Sequence, residues 1–255
     1  LLDSVKMMPK SARVPNTLLK EHYRCHPDII EFCNRTYYGG QLIPMRDPGE
    51  DAPDPLMVVY AAPGNHARHP LHGGGRFSQR EIDIIAQLQE MQVLREGIGE
   101  GDNRDPNSGD FILGVVTPYR AQATRATKLG DGEHGRWLAE TVHKFQGRGA
   151  GTVVLSTVLN ANDPAAAQDF YDDNALTNVA VSRAKDRLIV VTTNGGVRLS
   201  RNVRELLDYI EMCDPRSLVQ SNIVSIFDVL YRAYSESLER YSRVKNSSSD
   251  YSAAE

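Results

Sequence analysis

Nowhere does this sequence hold an apolar run near the ~20 residues that a membrane-spanning helix needs. Its first residues lack the long apolar core of a signal peptide. Cysteine is scarce: Cys25, Cys33 and Cys213 are the only three. So small and odd a set excludes a disulfide framework and fits a reducing compartment, so a cytoplasmic location is expected. Charge of neither sign dominates. Lys and Arg number 29 against 33 Asp and Glu, a net of -4, so any polyanion must be met by a local patch rather than by the average field. There is no internal repeat. The pattern G-x-x-x-x-G-K-[ST] is also missing, so Gly73-Gly74-Gly75 is no phosphate loop.

What is present is an ordinary globular composition: 255 residues, 40% apolar and 24% charged. That length gives one large domain, or one domain with an appendage. Thr17-Leu18-Leu19 is a short strand candidate. A helix follows from Pro27 and Asp28, with Ile29, Ile30, Cys33 and Tyr37 on one face and Gly39-Gly40 ending it. Leu56–Tyr60 reads as a strand. Ser78 and Glu81 form a capping box for a helix through about Leu94. Phe111–Val116 is a strand, and Thr117-Pro118 starts the next helix. Thr141-Val142 ends a short strand, residues 143–151 are a turn, and Thr152–Val158 is a buried strand. Beyond Asn194-Gly195-Gly196 the alternation stops, and Val203–Met212 and Ile223–Tyr241 read as helices. Alternating strands and helices with apolar strand runs argue an α/β fold, a mostly parallel sheet covered on both faces. Ligands on such sheets sit beyond the carboxyl ends of the strands. Arg24, Thr117 and Thr141 follow strand candidates, so polar groups are expected at that edge.

The chain is organised around Asn178–Arg187 and the apolar run Leu188–Val191. Leu176, Val179 and Ala180 share a helical stripe, and Arg183 is its next position. A guanidinium at the end of a core-facing stripe either pairs with a local carboxylate or reaches an anion from outside.

Four segments, in order, make a pattern: His22-Tyr23-Arg24-Cys25-His26-Pro27, Thr117-Pro118-Tyr119-Arg120-Ala121-Gln122, Thr141-Val142-His143-Lys144-Phe145-Gln146-Gly147, and Asn178-Val179-Ala180-Val181-Ser182-Arg183-Ala184-Lys185. Together they resemble the second RecA-like motor domain of superfamily 1 helicases, in the subgroup of the nonsense-mediated-decay helicase and its bacterial relatives. The resemblance covers residues 15–195. It implies a RecA-like three-layer fold with a C-terminal helical extension, acting in an ATP-dependent helicase on single-stranded DNA or RNA. In such helicases the first RecA-like domain holds most of the ATP and Mg²⁺. No Asp-Glu pair ends an apolar strand here, so this chain alone is expected to be inactive, a piece of a longer polypeptide with that first domain as its partner.

By the same resemblance Arg24 and Arg183 are the arginine fingers, worth ~10³–10⁵ in rate. Gln146 and Gly147 meet the nucleotide, Gly147 by letting the backbone approach closely. Thr117, Arg120, Thr141 and His143 face the nucleic-acid strand, where Thr hydroxyls and backbone N–H groups can hold phosphates without reading bases. The family usually has Glu where this chain has Gly149, and commonly Asp where it has Gly151. That departure supports an alternative, a non-catalytic nucleic-acid-binding or regulatory module.

The expected organisation is a lead-in over 1–14, the motor domain over 15–200, a helical extension over 201–242 and a disordered tail over 243–255. His22, Cys25, His26 and Cys33 look like a zinc set, but they mix a helix start with a helix face and the motif already accounts for two of them. His66, His69 and His72 read as a surface cluster. No metal ligand is assigned.

Overall fold

The computed structural model describes residues 18–49, 52–62, 67–68, 75–91, 93–95, 111–130, 137–159, 171–193 and 200–223. Its elements in chain order begin with β1 (Glu21–His22), α1 (Pro27–Tyr37), β2 (Ile43–Pro44) and β3 (Leu56–Ala61). Next come β4 (Ala67–Arg68), β5 (Phe77–Ser78), α2 (Gln79–Glu90), β6 (Phe111–Thr117), α3 (Arg120–Gly130) and β7 (Leu138–Thr141). The last are β8 (Ala150–Ser156), α4 (Asn174–Val181), β9 (Ala184–Thr193), α5 (Arg201–Cys213) and β10 (Leu218–Gln220). Six strands form one sheet in the order β10-β3-β9-β8-β6-β7, every neighbouring pair parallel.

The apolar runs explain the three layers. Successive strand residues point to opposite faces, so a run without polar interruption is buried on both. Leu188 and Val190 of β9 join α1, α4 and α5 in one core cluster, whereas Ile189 and Val191 join α2 and α3 in the other. The expected α/β architecture, a parallel sheet covered on both faces, is present.

Several boundaries differ from expectation. Leu18 and Leu19 are not strand; the pairing begins at Glu21, against Ile43 of β2. α2 ends at Glu90, and a short 3₁₀ turn at Val93–Arg95 follows. α3 opens at Arg120 rather than at Pro118, because Thr117 still pairs with Thr141 in the ladder. Only half of the capping box forms. Ser78 Oγ accepts the Glu81 N–H, but the Glu81 carboxylate turns to β8 and the Ser78 N–H goes to Gln122. Residues 201–242 are not helical throughout: after α5, Leu218–Gln220 adds a parallel strand beside β3. Ile223 packs on the second core cluster. The rest of that helical stretch, the lead-in, the tail and the His66, His69 and His72 cluster lie outside the described residues. Among the described residues, no helix is long and apolar enough to cross a membrane.

Candidate functional site

Arg24 and Arg183, 159 positions apart in sequence, are brought to one place by backbone hydrogen bonds. The His26 N–H donates to the Lys185 carbonyl at 2.6 Å, tying the start of α1 to the start of β9. The Ala150 N–H donates to the Arg183 carbonyl at 3.1 Å, tying β8 to the same corner. Arg46, from the Pro- and Asp-rich loop, secures the junction. Its Nη1 donates to the carbonyls of Arg24 and Lys185, both at 2.8 Å, and its Nη2 pairs with Asp186.

Both finger candidates are half-buried. Arg183 donates through Nε to the Val179 carbonyl at 3.0 Å, through Nη1 to the Arg148 carbonyl at 3.1 Å, and through Nη2 to the Ser182 hydroxyl at 3.1 Å. All three acceptors are neutral. Burial, and then the neighbouring Arg24 charge, push the Arg183 pKa down. The same two causes lower that of His22. Among the described residues, no carboxylate pairs with Arg24 or Arg183. Two guanidinium groups stay ionised at any physiological pH. Two guanidinium groups side by side, with no carboxylate paired to either among the described residues, have the chemistry to take an anion carrying more than one negative charge. A nucleotide phosphate has that chemistry.

The edge at which they meet was not foreseen. β8 and β9 begin there, so the Arg24–Arg183 corner lies at the amino end of the sheet. Thr117 and Thr141 end β6 and β7 at the carboxyl edge. Phe111 pairs with Ala150 at one edge and Thr117 with Thr141 at the other, six residues of β6 apart, about 20 Å. Residues 142–149 run back between the two levels. Phe145 pins them to the sheet: a Cβ on Gly114 would stand 2.7 Å from its ring. His143 is exposed at the start of this segment, beside the carboxyl edge of the sheet, and Gln146 and Gly147 are exposed further along it. Gly147 has φ +85° with nothing within 4 Å of a built Cβ, so its left-handed conformation, not crowding, demands glycine.

At the carboxyl edge Thr117 is fully buried, and its hydroxyl accepts the Tyr119 N–H at 3.5 Å. Arg120 is exposed and Thr141 half-buried. Beneath them lies a polar network that the sequence did not disclose. Gln122 donates to Ser156 Oγ at 2.8 Å and to the Ser78 carbonyl at 3.2 Å. Glu81 is fully buried and accepts from Ser156 Oγ at 2.6 Å and from the Val158 N–H at 2.8 and 3.0 Å. Arg76 Nε donates to the Val158 carbonyl at 3.1 Å. Val158, at φ 54°, is thus held from both sides in a conformation unfavourable for a β-branched residue. Desolvation pushes the Glu81 pKa up to about 7, against the pull of its hydrogen bonds.

The glycine departures have a local form. A Cβ on Gly149 would lie 3.2 Å from Arg24 Nη2. Gly151 sits where the β8–β9 register shifts, and a Cβ there would lie 3.0 Å from both Asp186 Oδ2 and the Ile112 carbonyl oxygen. The cysteine and histidine set has other duties. His22 Nε2 accepts the Cys25 N–H, Cys25 Sγ points at the Ser182 carbonyl, and His26 Nδ1 accepts the Asp28 N–H at the start of α1. Burial pushes the Cys25 thiol up to about 11.

A family model described as an AAA domain matches residues 4–195. The chain belongs to that AAA domain family. The Helicase SEN1 of Saccharomyces cerevisiae is 26% identical over 210 residues, covering 75% of this chain and 9% of its own length. The human probable helicase senataxin is 27% identical over 189 residues, covering 71% of this chain and 7% of its own. The DNA polymerase alpha-associated DNA helicase A of Saccharomyces cerevisiae is 27% identical over 210 residues, covering 73% and 29%. By these matches the chain is similar to helicases. It spans less than a third of the length of any of the three. A crystal structure of the C-terminal domain of a possible DNA helicase covers 78% of the chain at 15% identity and TM-score 0.41, a likeness too slight to argue from.

Proposed function

We propose that this AAA domain is the C-terminal motor half of an ATP-dependent helicase and completes its hydrolytic site with Arg24 and Arg183. The observation that carries the reading is the pairing of those two guanidinium groups with no carboxylate between them among the described residues. Such charges are fixed before the substrate arrives, and they oppose the negative charge that shifts during phosphoryl transfer. Gln146 and Gly147 flank the same corner on the 142–149 segment. ATP and Mg²⁺ would be held mainly by a first RecA-like domain of the same polypeptide, because this chain has no phosphate loop.

The single strand, DNA or RNA, is assigned to the other edge. Arg120, Thr141 and His143 would meet its phosphates there, while buried Thr117 holds the turn from which Arg120 projects. The Glu81 network keeps this edge rigid. The 142–149 segment spans both edges, so a shift at the nucleotide corner has a short covalent route to the strand.

The test joins this chain to its upstream domain and compares it with the chain alone. ATP hydrolysis stimulated by single strands, with displacement of tailed duplexes, is expected only of the joined protein. Hydrolysis by the isolated chain would overturn the reading. So would a joined protein that binds nucleic acid without hydrolysing ATP, which would instead favour a regulatory module.

A further inference from the structure

The chain's net charge of -4 requires any polyanion surface to be local. α3 is such a surface. Its eleven residues include Arg120, Arg125 and Lys128 and no acid. Among the described residues, no carboxylate pairs with any of the three. Arg120, Thr124 and Lys128 recur every fourth position, one row along the exposed face in steps of about 6 Å.

Beside that row, between α2 and α3, lies a groove of about 420 Å³. Its floor is apolar, with Phe77, Ile82 and Leu129, and its rim carries Thr124, Arg125 and Lys128. Arg125 is held in place. Its guanidinium lies 3.6 Å from the centre of the Phe77 ring, and Nη1 donates to Gln79 Oε1 at 3.0 Å. On α2 exposed Asp83 accepts from Gln79 Nε2 at 2.9 Å. A planar cation already immobilised on an aromatic ring gives up little freedom when it binds. Arg planes also serve as stacking platforms for unpaired bases.

We propose that the α2–α3 groove is a second contact for the same single strand. Lys128 and Arg120 take its phosphates, and an unstacked base lies against the outer plane of Arg125. The inference rests on the strand following the carboxyl edge, since α3 starts there at Arg120 and leads away from it. The contact is tolerant of sequence, because nothing in the groove reads base edges in a fixed pattern.

The test titrates oligothymidylates of increasing length against the chain over a series of salt concentrations. The wild type is compared with the Arg125→Gln/Lys128→Ala double variant. For long oligonucleotides the slope of log affinity against log salt should become shallower by about 0.7 in the double variant, for the one phosphate that Lys128 no longer neutralises, and affinity at every salt concentration should fall further with the stacking that Arg125 supplied. The shortest oligonucleotide that binds should show no difference. If the double variant melts early, Lys128→Ala alone carries the test, because Lys128 is exposed; its slope change should be about 0.7. Equal slopes at every length would overturn the second contact and leave the first standing. A wild type that binds no oligonucleotide would overturn the nucleic-acid reading itself. Oligonucleotide binding unchanged, together with loss of a bound oligoglutamate peptide, would assign the groove to an acidic protein segment and overturn the proposal.

Discussion

The terminal guanidinium nitrogen of Arg24 lies against Gly149, 3.2 Å from where that residue's Cβ would be. The arginine thus occupies space that a side chain at 149 would share. Gly149→Ala should therefore displace Arg24 while leaving its charge intact. Displacement of a catalytic group by up to an ångström costs as much as ~10²-fold in rate. In the two-domain protein we expect kcat for ATP to fall tenfold or more, with the melting temperature little changed because the atom met is the end of a flexible side chain. Unaltered turnover would separate Arg24 from the chemistry.

Glu81 makes stability depend on pH in an unusual direction. Its pKa in the folded protein is pushed up to about 7, whereas an unfolded glutamate titrates near 4.3. The folded state therefore binds the proton more tightly. This contribution is complete below the unfolded pKa and is lost as pH rises through about 7. Glu81→Gln keeps the neutral shape and cannot ionise. Urea denaturation from pH 5 to pH 8 should show the wild type losing roughly 3 kcal/mol relative to Glu81→Gln. A constant difference across that range would mean that Glu81 does not titrate inside the fold.

β3, β6 and β8 were legible because strand runs of six or seven residues bounded by Gly, Pro and Asp leave little choice of period. α1 was legible because Pro27 opens it and Gly39-Gly40, both at positive φ, close it. β10 was not: Leu218-Val219-Gln220 is three residues long, sits at the sheet's edge and is partly exposed, so it carries no burial signature. The start of α3 was misplaced because Thr117-Pro118 has the look of a cap, whereas strand pairing holds Thr117 in the sheet. Motif order singled out Arg24 and Arg183 as partners, but spacing alone could not tell which edge they share. That edge is fixed by hydrogen bonds from the His26 and Ala150 N–H groups to the carbonyls of Lys185 and Arg183, which depend on tertiary pairing. Arg46 escaped notice, and Glu81 was read only as a helix cap, for a related reason. One sits in a loop without periodicity, and the other in a pattern that also describes a helix cap.

In this account two arginines with no acidic partner among the described residues act together on a nucleotide held by another domain. The most direct test is ATP turnover and ATP affinity for Arg24→Ala, Arg183→Ala and the double variant, each in the two-domain protein. The account predicts that each single change lowers turnover by about 10³-fold or more, that ATP still binds, and that the double variant loses far less than the product of the two. Turnover unchanged in Arg183→Ala, or fully independent losses accompanied by loss of ATP binding, would contradict it.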